Sequence, residues 1–157
     1  MFVLKVKLKP SKRMFLICGA VIAAIVIICV ICTVSAAGRM PDTATCDEGG
    51  EYSLSASNEQ ERLEFLGNFG LDADRLVSAD IITIPSEFNS VYKAYNDLQR
   101  QIGLDLSRYK GESAERYMYA LNGENADSAV ILVRNNRVIG GHITSGEFGE
   151  ENRPLNE

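Results

Sequence analysis

The sequence predicts an α+β fold in which one N-terminal transmembrane helix precedes a small extracytoplasmic domain. Two observations support this prediction. A run without any charged residue extends from residue 14 to residue 37 of the 157-residue chain. Behind it, segments with helical spacing and segments with strand-like alternation follow in the order α-β-α-β-β-β. That order predicts an antiparallel sheet of about four strands with the helices on one face.

The uncharged run has the length and the flanking charges of a membrane span. Its first 21 residues, 14–34, would make a helix of about 31 Å, which matches a bilayer core of about 30 Å. Five basic residues precede the run without an acidic one, whereas acidic residues dominate behind it. The positive-inside rule therefore predicts that residues 1–13 are a cytoplasmic basic tail, that residues 14–37 cross the cell membrane once, and that the rest lies outside.

Two further expectations concern the same run. Small residues near its end, Val34-Ser35-Ala36, fit a signal-peptidase site, and cleavage there would give a secreted protein. The run is longer than the roughly 7 to 15 residues of a signal-peptide core, which favours an uncleaved anchor. Gly19 and Ala23 lie four residues apart, a spacing that lets two membrane helices approach closely and predicts a homodimer through these residues.

Charge restricts the partners of the exported part. Beyond residue 37 the chain has 11 basic and 21 acidic residues, a net charge of −10. Such a surface argues against nucleic acid and anionic lipid as ligands. The expected partners are the lipid bilayer, through residues 14–37, and an unknown envelope protein or ligand. Cys46 is the only exported cysteine, so we expect a free thiol that external reagents reach.

Composition sets the expected domain boundaries. Residues 38–57 are rich in Gly, Ser, Thr and Asp, which predicts a flexible linker. Residues 147–157 form an acidic, proline-containing tail that we expect to be frayed. Residues 58–146 remain as the folded domain.

Local signals then predict the elements of this domain. Ser57 with Gln60 predicts the start of a first helix, which ends near Gly70. Asp80–Ile84 is β-branched and predicts a strand that ends at Pro85. Ser86 is the expected cap of a second helix that ends at Gly103. Its predicted buried face consists of Phe88, Val91, Tyr92, Tyr95, Leu98 and Ile102. Alternating or apolar segments predict three more strands, at residues 113–121, 128–134 and 137–144, the last two joined by an Asn135-Asn136 turn.

The sequence contains no complete motif for catalysis, metal binding or a cofactor, so no residue is predicted for any of these roles. Ser107 and Lys110 match S-x-x-K, but the S-D-N and K-T-G motifs that accompany it in penicillin-binding enzymes are missing, so the match is due to chance. A Ser-His-Asp site would have to use His142, the only histidine, as its base. His142 lies in a predicted strand, and the chain has no serine in a nucleophile-elbow motif, so this site is not predicted. A hydrolase with paired carboxylates stays open as an alternative, because acidic residues are abundant.

Gln99 is the most informative polar residue, because a helical wheel places it inside the apolar face of the second helix. A buried amide requires hydrogen-bond partners. We expect it to bond backbone groups of the following loop, residues 104–110, and so to fix that loop; the alternative is a small pocket. The candidate structural or pocket residues are Tyr92, Tyr95, Asn96, Gln99, Asp105 and Tyr109.

Several stretches together resemble a known family. RLEFLGNFG, RYMYALNG, VIGGHI and the run IPxxF…YNxLQ…GxDLxxYxG are similar to a bacterial family of small membrane-anchored proteins classed only as a domain of unknown function. The resemblance covers about Glu59 to Ile143. It implies a protein of the bacterial cell envelope and no particular activity. We therefore predict a non-catalytic binding module, with the hydrolase and the secreted protein as alternatives.

Overall fold

A computed structural model describes residues 25–26, 42–46, 50–123, 127–146 and 151–156. The chain divides into two compact units, residues 1–40 and Pro41–Glu157. The predicted span at residues 14–37, except Ile25 and Val26, lies outside the described residues, and so does the predicted Gly19–Ala23 contact. Over the residues that are described, no helix is long and apolar enough to cross a membrane.

The second unit has two sheets and two α-helices among its described residues. The elements are β1 (Thr43–Cys46), β2 (Gly50–Ser53), α1 (Glu59–Gly67), β3 (Ala73–Thr83), α2 (Ser90–Gln101), a 3-10 helix (Leu106–Tyr109), β4 (Ser113–Leu121), β5 (Ser128–Arg134) and β6 (Arg137–Thr144). β1 and β2 form an antiparallel hairpin, and β3 to β6 form an antiparallel sheet in chain order. The predicted α+β class and four-stranded antiparallel sheet are confirmed.

Both helices begin later than predicted, because asparagines rather than serines cap them. The Asn58 side chain accepts a hydrogen bond from Glu61 N at 3.0 Å, and the Asn89 side chain accepts one from Tyr92 N at 2.8 Å. Asparagine is among the best N-cap residues, since its short side chain reaches the free backbone N–H groups of the first turn. The late start leaves Val91 in the first turn of α2, where it is 75% exposed instead of buried.

The two helices cover opposite faces of the sheet, which corrects the prediction that they share one. Ala129, Ile131 and Val133 of β5 belong to a core cluster with Phe65 and Leu66 of α1. Val130 and Leu132, the alternate residues of β5, belong to a second cluster with Tyr92 and Tyr95 of α2. Successive strand residues point to opposite faces. The continuous apolar run of β5 therefore belongs to a central strand that is buried on both sides.

The predicted flexible linker is wrong for residues 43–46 and 50–56, where the structure has a β-hairpin and a buried extended segment. Tyr52, Leu54 and Ala56 are buried and alternate with exposed serines, which is the pattern of a strand. The Tyr52 hydroxyl donates to Ile102 O at the end of α2. Gly103 has a φ of +72°, and a Cβ there would collide with Thr45 O of the hairpin. The hairpin is thus packed against the C-terminal end of α2.

The predicted frayed tail is also wrong for residues 151–156. Arg153 pairs with Ile143 of β6 through two backbone hydrogen bonds of 2.9 Å, and its side chain lies 2.5 Å from the carboxylate of Asp127. Leu155 is fully buried in the core cluster that contains α1. The compact unit therefore extends beyond the predicted domain boundaries of 58 and 146 in both directions.

Candidate functional site

Asn96 fixes the turn that follows α2. Its Oδ1 accepts a hydrogen bond from Leu106 N at 2.7 Å, and its Nδ2 donates to Asp105 Oδ1 at 2.9 Å. The same Asp105 oxygen accepts from Ser107 N at 2.9 Å and so caps the 3-10 helix. The role that the sequence predicted for Gln99, fixing residues 104–110, belongs to Asn96 one turn earlier.

Asp105 is held in its ionised form by this arrangement. Burial by itself raises the pKa of Asp105, but hydrogen bonds from Ser107 and Asn96 and the nearby Arg100 outweigh burial and hold the pKa well below its usual range. A carboxylate of this kind cannot act as a general acid near neutral pH. Asp105 therefore serves the turn.

Gln99 reaches a strand rather than the loop. Its side chain is fully buried, and Oε1 accepts a hydrogen bond from Gly141 N of β6 at 2.6 Å. A Cβ at Gly140 would lie 3.1 Å from that oxygen, so the glycine permits the close approach. Gln99 Nε2 has no hydrogen-bond partner among the described residues. The predicted bond from this side chain to the loop is wrong, because its oxygen bonds Gly141 of β6 instead.

The tyrosines of the predicted set belong to the core. Tyr92, Tyr95 and Tyr109 pack against the cluster between α2 and the sheet, and Tyr95 Oη lies 2.9 Å from His142 Nδ1. Burial and, to a smaller extent, the positive charge of Arg116 together lower the pKa of His142 to about 4. His142 is therefore neutral near pH 7 and lies in a packed aromatic contact.

The outer edge of β6 is covered along its length. Leu54 O accepts from Val138 N at 2.8 Å, and Arg153 exchanges two hydrogen bonds with Ile143. Between these two contacts, Gln99 accepts from Gly141 N. Three separate parts of the chain thus satisfy backbone groups that an edge strand would otherwise leave open. Sequence reasoning misses all three, because it predicts residues 38–57 as a linker, Gln99 as bonded to the following loop, and residues 147–157 as a frayed tail; the alternation in YSLSAS is a signal for the first.

β3 is the opposite edge of the sheet, and in the described part of the chain only β4 pairs with it. The strand has eleven residues and exposes Leu76, Val77 and Ile81, the last at 75%. Register shifts that indicate bulges interrupt its N-terminal half, while residues 78–83 pair with β4 without interruption. Bulges protect an edge from pairing, so the regular stretch 78–83 is the accessible one. The sequence predicted only residues 80–84 of this strand, because its exposed half lacks apolar alternation.

A surface cleft of about 340 Å³ lies between α2 and the 3-10 helix. Asn96 is the only residue of the predicted set that lines it, and Ser107 and Lys110, the S-x-x-K pair, line it as well. Lys93 and Arg100 contribute further positive charge. The sequence does not predict that these cations lie close together. Lys93 and Lys110 are 17 residues apart in the chain, and the turn between them depends on Asn96.

The carboxylates with shifted pKa values favour the charged form. Hydrogen bonds from Ser55 and Ser57 lower the pKa of Glu61, and the hydrogen bond from Arg116 lowers that of Asp80. Asp105 behaves in the same way. Across the residues described, no group of three or more His, Cys, Asp or Glu is placed to hold a metal ion.

Comparison with known proteins gives one match. The model of the family described as Domain of unknown function (DUF4830) matches residues 65–143, which are 79 of the 157 residues. The expected membership in a family of unknown function is confirmed, and the matched region spans most of the sheet, α2 and the turn. No curated protein and no solved structure matches the chain.

Proposed function

We propose a function from the structure itself, because the chain belongs to DUF4830, a domain of unknown function. In this proposal the protein is a non-catalytic binding module of the bacterial cell envelope. Residues 14–37 anchor it in the cell membrane, with the N-terminus in the cytoplasm. The domain outside the membrane binds an extended segment of another envelope protein, which pairs as an additional strand with the free edge of β3.

The difference between the two sheet edges carries this proposal. β6 is covered by residues 54–56, by Gln99 and by residues around Arg153. β3 offers six regular residues, 78–83, and no other described segment pairs with their outer side. Exposed edge strands tend to pair with other chains, and natural proteins normally protect them. Strand addition to such an edge is a common mode of peptide recognition.

Exposed side chains along β3 indicate what the added segment would contact. Ile81, exposed on the edge, and Glu115, its neighbour on β4, border a pocket of about 200 Å³. Apolar side chains of a partner would cover Ile81, while basic side chains would face the acidic surface. A second copy of the chain fits this edge poorly, because each copy has a net charge of −10 beyond residue 37.

The hydrolase alternative receives no comparable support. Glycosidases need a carboxylic acid whose pKa is raised, so that it donates a proton to the leaving group. The shifted carboxylates in the described region, Glu61, Asp80 and Asp105, all have lowered pKa values. His142, the only histidine, is fixed against Tyr95.

Site-specific photo-crosslinking in the native envelope tests the proposal. A photoreactive amino acid is introduced at Ile81, on the β3 edge, or at Val91, an equally exposed apolar residue of α2; both are 75% exposed. We expect a discrete adduct with one envelope protein from position 81 and none from position 91. The same adducts from both positions, or none from position 81, would contradict the proposal.

A further inference from the structure

The cleft between α2 and the 3-10 helix concentrates positive charge on an acidic domain. Only two lysines, Lys93 and Lys110, occur beyond residue 37, and both line this cleft together with Arg100. The remainder of the surface is dominated by carboxylates, since this part of the chain has a net charge of −10. The cleft is lined by these three cations and one carboxylate, Asp97, so positive charge exceeds negative charge in its lining, in contrast to the rest of the domain.

Two of the three cations, Lys93 and Lys110, are available to a ligand. In the part of the chain that the structure describes, neither Lys93 nor Lys110 forms an ion pair, whereas Arg75, Arg116 and Arg134 each do. Lys110 Nζ lies 4.7 Å from the centroid of the Phe88 ring, which positions the ammonium group without neutralising it.

Arg100 and the floor of the cleft are held in place by neighbouring side chains. Arg100 contacts Asp97 at 3.0 Å and Asp105 at 3.5 Å, so its guanidinium is oriented between α2 and the turn. Asn96, only 2% exposed, forms part of the lining and is fixed by its bonds to Asp105 and Leu106. A site whose groups are already ordered loses less entropy when a ligand binds.

We propose that this cleft binds a phosphate-bearing polyol. Lysine ammonium and arginine guanidinium groups are the usual ligands of phosphate. The Asp97 carboxylate, which also lines the cleft, is an acceptor for a hydroxyl group of the same molecule. The volume of about 340 Å³ lies at the lower end of the range for small-molecule sites, which suits a ligand of this size.

The site is separate from the β3 edge, so this proposal does not depend on the proposed function. The net charge of the domain argued against anionic ligands, and this cleft is an exception to that argument. Net charge describes the average surface, whereas binding depends on the potential inside one cleft. Three sources share the required chemistry, namely a free polyol phosphate, a polyol-phosphate polymer and the headgroup of an anionic phospholipid.

NMR titration of the full-length chain in zwitterionic detergent tests the inference, with glycerol 3-phosphate as the probe. We expect saturable shifts of the backbone amides of Lys93, Arg100 and Lys110, and none with glycerol. The double variant Lys93→Gln, Lys110→Gln should raise Kd at least about tenfold, because it removes two charge-assisted contacts. Arg75→Gln, which removes an exposed cation outside the cleft, should leave Kd unchanged.

The outcomes separate the possibilities. Shifts that do not saturate, or a Kd that is the same in the double variant and the wild type, would overturn the inference.

Competition experiments then identify which of the three sources supplies the ligand. Displacement of the probe by glycerol phosphate oligomers at lower concentration than by the monomer indicates the polymer, and displacement by phosphatidylglycerol vesicles but not phosphatidylcholine vesicles indicates the lipid. Displacement only by the monomer indicates a free metabolite.

Discussion

Two buried amides on α2 determine how this domain is held together. Asn96 is bound to the turn that follows the helix, through Leu106 N and Asp105. Gln99, one turn later, is bound to Gly141 of β6. Each amide satisfies a backbone or side-chain group that would otherwise be buried without a partner, which is where a hydrogen bond contributes most.

Replacing Gln99 should therefore destabilise the protein. Gln99→Leu removes the acceptor of Gly141 N, and a buried donor without a partner costs about 1 to 3 kcal/mol. Gln101→Leu is the matched control, because Gln101 is an exposed residue of the same helix. Chemical denaturation of the full-length variants measures the difference in free energy of unfolding. Equal stability of the two variants would show that the bond to Gly141 is dispensable.

His142 should make stability depend on pH in the acidic range. Its folded-state pKa, about 4, is below the ordinary value of 6.5, because burial and Arg116 disfavour the protonated ring. The unfolded state thus binds the proton more readily, so the contribution of His142 is full above about pH 6.5 and is lost as the pH falls toward 4. The slope approaches about 1.4 kcal/mol per pH unit.

The variant His142→Gln provides the control for this pH dependence. Glutamine keeps a polar group near Tyr95 Oη but does not titrate. We expect a flatter plot of the free energy of unfolding against pH between 4 and 6.5. A slope identical to that of the wild type would assign the pH dependence to other groups.

Among the helices and strands, the sequence correctly predicts those whose signal is local, such as apolar alternation or a turn sequence. β4, β5 and β6 are predicted at their observed bounds, because alternation and the Asn135-Asn136 turn are local signals. Both asparagines have the positive φ angles that this turn requires. The cover of β6 is not local, since Arg153 pairs with Ile143, ten residues earlier, and Leu155 contacts Gly141, fourteen residues earlier. Only the folded sheet identifies them as part of the domain.

Leu155 should be essential to that cover. Its side chain is fully buried against Gly141, where even an added Cβ would contact it. Leu155→Ala should cost about 2 to 5 kcal/mol, the usual range for a buried leucine. Leu76→Ala, at a leucine of the opposite edge that is 40% exposed, should cost much less. If thermal denaturation gives the two variants equal stability, the C-terminal segment is not part of the fold.

For the whole molecule, the sequence predicts class and sheet correctly but places the domain boundaries too close together. Composition identifies residues 38–57 as a linker because Gly, Ser and Asp dominate, yet Tyr52, Leu54 and Ala56 supply buried side chains. The α2–turn unit is predicted as a structural feature, and its central residue is misassigned by one turn. The cleft cannot be predicted, since its cations come from three positions that only the fold brings together.

Membrane topology stays a prediction, and the structure changes how it should be tested. Cys46 was expected to be reachable from outside, but it is buried, with its Sγ 3.5 Å from Gln101 O. A cysteine at Val91, a position that is 75% exposed, is the better reporter. Val91→Cys should react with a membrane-impermeant maleimide in intact cells, and the wild type should react little. Labelling of Val91→Cys only after lysis would place the domain in the cytoplasm.

The central claim is that the β3 edge pairs with a partner strand through its main chain. Ile84 N donates to Glu112 O at 2.9 Å, toward the β4 side. Inward and outward peptide groups alternate along a strand, so we expect the N–H of Ile81, three residues earlier, to point away from β4. A proline at this position would remove an outward donor and leave the ladder with β4 intact.

The most direct measurement compares Ile81→Pro with Ile81→Ala in partner capture from the native envelope, after melting curves have established that both variants fold. Ile81→Ala removes the exposed side chain but keeps the N–H, whereas Ile81→Pro removes both. We expect Ile81→Pro to abolish capture of the protein that crosslinks at position 81, and Ile81→Ala to retain a substantial part of it. Undiminished capture by a folded Ile81→Pro variant would contradict strand addition at β3.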